Sequence, residues 1–232
     1  MRRGLIAWSR AELPEVTLDA RVARVQAAMV SAVPSSARTA KLDALVVYTI
    51  PARTAGVSWL TGFVPYWNEG LVVVPRQGRP VLVSALSNRV KDWIERNAHV
   101  ERVVSNPKIG VEAAGNIAGH KAKAVVGVVD LPRLPASLIE ALVAGGHDVR
   151  DGSAVFSAAR AAADPAEQML ATMAATIAQR AFECADTANE GNQDAGRLIG
   201  LMEGEARRLG AEEVYPAVAA DLARRRDRKS VG

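Results

Sequence analysis

The residues of this sequence that could carry out chemistry are few and poorly grouped. The three histidines, His99, His120 and His147, all lie in the first two thirds of the chain. The single cysteine, Cys184, has no histidine near it in the sequence, although a cysteine nucleophile needs a neighbouring base or a comparable activating group. We therefore interpret Cys184 as a small core hydrophobe.

The usual catalytic and phosphate-binding motifs are also missing. There is no H-E-x-x-H zinc motif and no G-x-S-x-G nucleophile elbow. The stretch GNIAGHKAK, residues 115–123, has glycines and lysines without the spacing of a phosphate loop. The adjacent Glu212 and Glu213 would face opposite sides of a strand, so we interpret them as a solvated turn.

The composition is typical of a globular protein, with 49% hydrophobic and 23% charged residues in a chain of 232. No apolar run approaches the ~20 residues of a membrane span, and the first apolar run is too short for a secretory signal. A single cysteine fits a reducing compartment. We expect a cytoplasmic protein with no membrane partner.

The net charge of +4 does not indicate nucleic-acid binding. Residues 224–229, RRRDRK, hold five basic residues and one acidic residue, so the rest of the chain is neutral. No basic face with interleaved aromatic residues accompanies this tail. We interpret the tail as a solvated terminus.

The elements that must position any site alternate between strands and helices up to about residue 157. Strands are predicted within residues 42–50, 71–74, 81–85, 100–105, 124–130 and 147–156, and helices within 17–32, 52–63, 87–98, 107–122 and 135–146. The segment PRQGRP predicts a hairpin between the second and third strands. The pattern as a whole predicts an α/β fold with a mixed sheet covered by helices.

The alternation of strands and helices gives way to two predicted helices after residue 160. Asp164 is a predicted N-cap, Pro165 occupies the first helical position and Glu167 the capping-box position. This helix carries an apolar stripe of Leu170, Met173, Ala174, Ile177, Ala181 and Cys184. A second helix is predicted over 194–209, ended by Gly210, and EEVYPAV, residues 212–218, predicts a strand.

Three stretches together resemble the creatinase–prolidase family, the pita-bread metallohydrolases that include Xaa-Pro aminopeptidases and dipeptidases. They are DALVVYTIPARTAGVSWLTGF, GLVVVPRQGRPVLV and ARAAADPAEQMLATMAATIAQRA. In the last, Arg160 and the run from Asp164 to Glu167 are similar to the family's entry into its catalytic domain. The resemblance implies an extension over 1–16, a creatinase-like amino-terminal α/β domain over 17–158, and a truncated start of the pita-bread domain over 159–232.

The family's chemistry depends on two metal ions, commonly manganese, cobalt or zinc, held by two aspartates, a histidine and two glutamates. These metals convert a bridging water into a hydroxide nucleophile. No histidine follows His147, and Asp221 and Asp227 sit among arginines. We therefore assign no catalytic residue, no metal ligand and no cofactor to this chain.

The resemblance also implies a set of substrate contacts. In relatives, loops of the amino-terminal domain reach toward a neighbouring subunit's active site, and the corresponding residues here are Arg53, Tyr66, Trp67 and Asn68. An arginine can pair bidentately with a substrate carboxylate, and Trp67 can wall an apolar pocket. The alternative is that Arg53 is a plain surface residue and Trp67 packs against a hairpin edge.

Three hypotheses for function follow. The first is an amino-terminal portion of a family metallohydrolase, with a basic end resembling sequence read in a shifted frame and no activity of its own. The second is one chain of a split hydrolase whose partner supplies the metal-binding half. The third is a stand-alone dimerisation or binding module, joined through the apolar helical face between residues 170 and 209.

Overall fold

A computed structural model describes residues 11–31, 41–65, 67–187, 194–211 and 213–217. The described residues up to Ala166 form one compact unit, and those from Glu167 onward form another. Tyr66, Glu212 and the basic tail, 224–229, lie outside the described residues.

The first unit is built on a six-stranded mixed sheet, which confirms the predicted α/β fold class. The strands, in the spatial order β4-β3-β2-β1-β5-β6, are β1 (Ala44–Thr49), β2 (Gly70–Pro75), β3 (Val81–Ser84), β4 (Arg102–Ser105), β5 (Val125–Val128) and β6 (Asp148–Asp151). Strand β2 runs antiparallel to both neighbours, and the other pairs are parallel. The predicted hairpin between β2 and β3 is confirmed.

Eight α-helices accompany these strands in the described part of the chain. They are α1 (Glu15–Val30), α2 (Ala55–Thr61), α3 (Lys91–Asn97), α4 (Ile109–His120), α5 (Ala136–Ala144), α6 (Ser153–Arg160), α7 (Pro165–Thr187) and α8 (Ala195–Arg208). Among these described helices, none combines the length and the apolar character that crossing a membrane requires.

Side chains of the central strands alternate between two apolar cores. Leu45 and Val72 pack in the core that includes α1, α2, α3 and α6. Val46 and Val73, the next residues along the same strands, pack in the core that includes α4 and α5. Successive strand residues point to opposite faces, and both faces are covered, so residues 44–47 of β1 and 71–74 of β2 are apolar at every position.

The segment after β5 and α5 differs from its prediction. Residues 147–156 were expected to form a short strand, yet the strand ends at Asp151 and helix α6 begins at Ser153. The Asp151 carboxylate accepts a hydrogen bond from the Ser153 backbone N–H at 2.9 Å, which turns the chain out of the sheet. Phe156 then packs edge-on against Trp59, with 5.7 Å between ring centroids.

The start of α7 at Pro165 is as predicted, and the residue before it has a structural role of its own. The Asp164 carboxylate accepts hydrogen bonds from Arg21 at 2.7 and 3.1 Å and from Arg24 at 3.3 Å. Arg21 is only 3% exposed, and a buried charge is tolerated when an opposite charge satisfies it. Asp164 therefore joins the segment that precedes Pro165 to helix α1.

The second unit contains α7 from Glu167 onward and α8. Glu205 on α8 lies close enough to Arg180 on α7 for their charges to interact. Gly210 has a positive φ of 100° just beyond α8, as the predicted helix end requires. The predicted strand over 212–218 is wrong for residues 213–217, which are not in a strand. The described chain sets no strand beside them, and a lone strand cannot pair its own backbone groups.

Candidate functional site at the carboxyl edge of the sheet

The carboxyl ends of the five parallel-running strands meet at one edge of the sheet, which we call the carboxyl edge. Strand β2 starts at this edge, because Gly70 pairs with Thr49 of β1 and with Ser84 of β3. In open α/β sheets, ligands bind in the crevice outside the carboxyl ends of the strands. The loops that follow β1 and precede β2 therefore occupy the position where a site is expected.

Arg53 lies in the tight turn that follows β1. Its backbone N–H donates to the Ile50 carbonyl at 2.8 Å, and its carbonyl accepts from the Thr49 hydroxyl at 3.0 Å. Its side chain is exposed. The turn thus holds the backbone of Arg53 firmly and leaves its guanidinium accessible at the carboxyl edge.

Trp67 and Asn68 lead into β2 at the same edge. Trp67 is 51% exposed. Asn68 has a left-handed backbone, with φ of 53°, and its side-chain oxygen accepts from the Glu69 N–H at 2.8 Å. Asparagine tolerates this conformation better than most residues. Pairing of β1 with β2 therefore brings Arg53, Trp67 and Asn68 to one edge of the sheet.

A further pair at this edge, Tyr48 and Glu69, was not identified from the sequence. The Tyr48 hydroxyl donates to the Glu69 carboxylate at 2.7 Å. Burial, followed by the hydrogen bond to Glu69 and its negative charge, raises the pKa of Tyr48 to about 12, against the opposing effect of Arg53. Tyr48 therefore remains a hydrogen-bond donor and orients Glu69. The only available signal was a tyrosine among the valines of a buried strand.

A pocket of about 240 Å³ opens beside Glu69. Its lining comes from the first turn of α4 and the residue pair before it, from Pro135, and from one side of α5: Pro107, Lys108, Ile109, Gly110, Val111, Pro135, Ser137, Leu138 and Ala141. A Cβ on Gly110 would lie 3.0 Å from the Ala141 Cβ and 3.2 Å from the Leu138 Cα. Glycine is therefore needed where α4 and α5 approach each other beneath the pocket.

The loop before α4 is ordered by side-chain hydrogen bonds. The Asn106 side-chain oxygen accepts from the Lys108 N–H at 2.9 Å, and the Asn106 amide donates to Glu112 at 2.6 Å. These bonds connect the end of β4 to the first turn of α4. Lys108 is thereby placed on the pocket wall by backbone geometry that does not depend on a ligand.

The histidines do not form a metal centre. His99 contacts Asp19 at 2.7 Å, and His147 accepts from the Ala124 N–H and contacts the Ala114 carbonyl at 3.0 Å. His120 is exposed on α4. Within the described ranges, no three histidine, cysteine or acidic residues are grouped so that they could hold a metal ion. The residues described here do not fit the two-metal set that the resemblance implies.

No protein-family model matches the sequence and no curated protein does, but solved structures of similar fold exist. An Xaa-Pro dipeptidase from Bacillus anthracis matches 84% of this chain with a TM-score of 0.64 and 16% identity. The dipeptidase PepE from Mycobacterium ulcerans matches 85% with a TM-score of 0.62 and 17% identity. The prolidase from Pyrococcus furiosus matches 74% with a TM-score of 0.56 and 16% identity.

These comparisons confirm, at the level of the fold, the resemblance identified from the sequence. This chain covers 50%, 51% and 47% of the three structures, respectively. It therefore spans about half the length of the proteins that it matches. At such identities the similarity concerns the fold alone, because activity depends on particular sites and not on the fold.

Proposed function

We propose that this chain is the amino-terminal portion of an Xaa-Pro-peptidase-like metallohydrolase and does not hydrolyse peptides by itself. The observation that carries the proposal is a fold match extending over about half of each related peptidase. It is supported by the sequence, in which no histidine follows His147. A cytoplasmic location is part of the proposal and is supported by the single cysteine.

In this proposal the carboxyl edge contributes to substrate selection. Arg53, Trp67, Asn68 and Tyr66 would contact a substrate held by a metal-binding half supplied elsewhere. Arg53 supports the role because its backbone is held while its guanidinium is exposed, as carboxylate recognition requires. Manganese, cobalt or zinc would belong to that other half, and no reaction step is assigned to residues of this chain.

The direct test is an assay of the purified chain against Xaa-Pro dipeptides with manganese, cobalt or zinc added in turn. We expect no hydrolysis above that of a mock purification from the same host, because the described residues offer no ligand set for the metals. Metal titration by calorimetry should show no stoichiometric site. Hydrolysis that follows the chain through purification and depends on added metal would overturn the proposal.

A second candidate function, association through α7, is supported by apolar side chains on that helix. Phe182 is 62% exposed and Met169 41% exposed, and Leu170, Met173 and Ile177 are only half-buried. Exposed apolar surface of this kind favours a partner. A homodimer detected by light scattering would support the dimerisation module. A co-purifying metal-binding chain would instead support the split hydrolase, and a monomer alone would contradict both.

A further inference from the structure

We propose that the pocket between the first turns of α4 and α5 binds a small zwitterion with an apolar body, of the amino-acid type. The ligand's ammonium group would pair with Glu69 and its carboxylate with Lys108. The proposal requires no metal ion and uses only residues that line this pocket. The inference therefore stands or fails separately from the proposed hydrolase relationship.

Glu69 provides an oriented negative group in the pocket lining. One of its carboxylate oxygens, Oε2, accepts the Tyr48 hydroxyl at 2.7 Å, and its backbone is held on both sides, by Asn68 and by the Ala85 N–H at 3.1 Å. The residue is half-buried, so solvent and salt screen it less than a fully exposed charge. Such a carboxylate can accept hydrogen bonds from an ammonium group.

Lys108 provides the opposite charge on the α4 side of the pocket. It immediately precedes helix α4, which runs from Ile109 to His120, and it lines the same pocket as Glu69. The first backbone N–H groups of a helix have no partner within the helix and carry partial positive charge. The Lys108 ammonium and this helix end therefore favour the same ligand group, a carboxylate.

The rest of the wall is apolar. Ile109 and Leu138 are buried at 5% and 3% exposure, and Val111 is 57% exposed; Pro107 and Pro135 complete this surface. A volume of about 240 Å³ is below the usual range for drug-sized ligands. It suits a compact molecule whose aliphatic side chain would cover Val111.

The two charges together select the ligand class. A simple anion would be repelled by Glu69, and a simple cation would be repelled by Lys108. A molecule with both charges and an apolar body offers each of these two side chains an opposite charge. Each side chain therefore gains a partner when the ligand removes its water. Free amino acids and very short peptides are the common molecules of this description.

The test is an NMR titration of the full chain with three probes: leucine, leucinamide and N-acetylleucine. We expect leucine to bind in the millimolar range and to shift the amide signals of Gly110 and Ser137. Leucinamide lacks the carboxylate and N-acetylleucine lacks the ammonium group, so each should bind several-fold more weakly. Leucinamide thus tests the contact with Lys108, and N-acetylleucine tests the contact with Glu69.

Substitutions test whether Glu69 and Lys108 are the two charged contacts of the ligand. Glu69→Gln should weaken leucine binding at least about tenfold, because a charged hydrogen bond is lost, and Lys108→Gln should weaken it comparably. Matched controls are Glu140→Gln and Lys123→Gln, which remove the same charges from exposed residues outside the pocket lining. Both control variants should bind leucine as the unmodified chain does.

Tyr48→Phe tests Tyr48 as a positioning residue. It should weaken leucine and leucinamide while leaving N-acetylleucine unchanged, a pattern that general loosening of the fold would not produce. The proposal is overturned if leucine causes no shifts at the pocket. It is also overturned if either probe lacking one charge binds as well as leucine, or if Glu69→Gln binds leucine normally.

Discussion

At the scale of single residues, the most informative side chain at the carboxyl edge is Tyr48. Burial first, and then the hydrogen bond and charge of Glu69, raise its pKa to about 12 from an ordinary value of 10. A raised tyrosine pKa means that the folded state holds the phenolic proton more tightly than the unfolded state does. Folding stability should therefore fall as the pH rises from about 10 to 12.

We predict that the tyrosinate absorbance of the folded chain contains one late-titrating component near pH 12, which Tyr48→Phe removes. The Glu69→Gln variant should move this component to lower pH, because the neighbouring negative charge is gone. The control is Tyr215→Phe, since Tyr215 is 85% exposed. A late component that survives in Tyr48→Phe would contradict the assignment.

Asp43 is the second residue whose charge is tied to the fold. It accepts hydrogen bonds from the Lys121 ammonium at 2.8 Å and the Val125 N–H at 2.9 Å, and it pairs with Arg76 at 2.9 Å. Burial alone would raise its pKa, but these hydrogen bonds and positive charges outweigh that effect, so the pKa of Asp43 is lowered. The folded state therefore favours the ionised carboxylate.

We predict an acid-sensitive contribution to stability from Asp43. Because the pKa is lower in the folded state, this contribution is complete above the ordinary aspartate pKa and is lost as the pH falls through the lowered value. Asp43→Asn should lower the unfolding free energy by about 1–3 kcal/mol at neutral pH. It should also weaken the decrease of the unfolding free energy at acid pH, as measured by urea unfolding at several pH values. The exposed Asp92→Asn serves as control, and an unchanged acid slope in Asp43→Asn would refute the prediction.

At the scale of elements, the parallel part of the sheet depends on close backbone approach at β5. A Cβ on Gly127 would contact Leu42 and would lie 3.0 Å from the Leu45 Cδ1 and 3.3 Å from the Gly152 Cα. These neighbours belong to a packed core that has little room to relax. The glycine therefore reflects the packing of β5 against β1 and the start of α6.

We predict that Gly127→Ala lowers the unfolding free energy by about 1–3 kcal/mol through overpacking. The matched control is Gly115→Ala on the exposed side of α4, where an added Cβ meets nothing within 4 Å. That substitution should raise the unfolding free energy by about 0.5–1 kcal/mol, because alanine favours the helix. Equal effects of the two substitutions in chemical denaturation would refute the packing argument.

At the scale of the whole molecule, apolar burial is very unevenly distributed. Both large cores belong to the first unit. Among the described residues from Glu167 onward, the buried hydrophobic residues are three alanines, Ala181, Ala185 and Ala206. Stabilisation by burial scales with apolar area, so the helices of the second unit should open more readily than the sheet.

We predict that limited proteolysis removes residues beyond 166 first and leaves a resistant fragment containing the sheet. The physical reason is that cleavage reports local opening, which needs less free energy where few apolar contacts are broken. Mass spectrometry of the fragments over time is the measurement, with the urea-unfolded chain as the reference for uniform cutting. Equal rates of loss from both units would contradict this expectation.

Much of the architecture was predictable because local signals and tertiary packing agree. The runs ALVV of β1 and LVVV of β2 are apolar at every position since both faces of the sheet are covered, and PRQGRP marks a turn in any context. The start of α7 at Pro165 was equally clear. Helix α6 was missed because its cue, the bond between Asp151 and Ser153, involves two residues that are also common in ordinary turns.

The sequence by itself determined the order of the elements as far as β6, the α/β class, and the resemblance that the fold comparisons support. These properties rest on periodicity and turn chemistry, which act over short distances along the chain. The tertiary structure alone decided that Tyr48 meets Glu69 and that Glu69 shares a pocket with Lys108 and α5. Those residues are far apart in sequence, and only the pairing of the strands and the crossover of α4 bring them together.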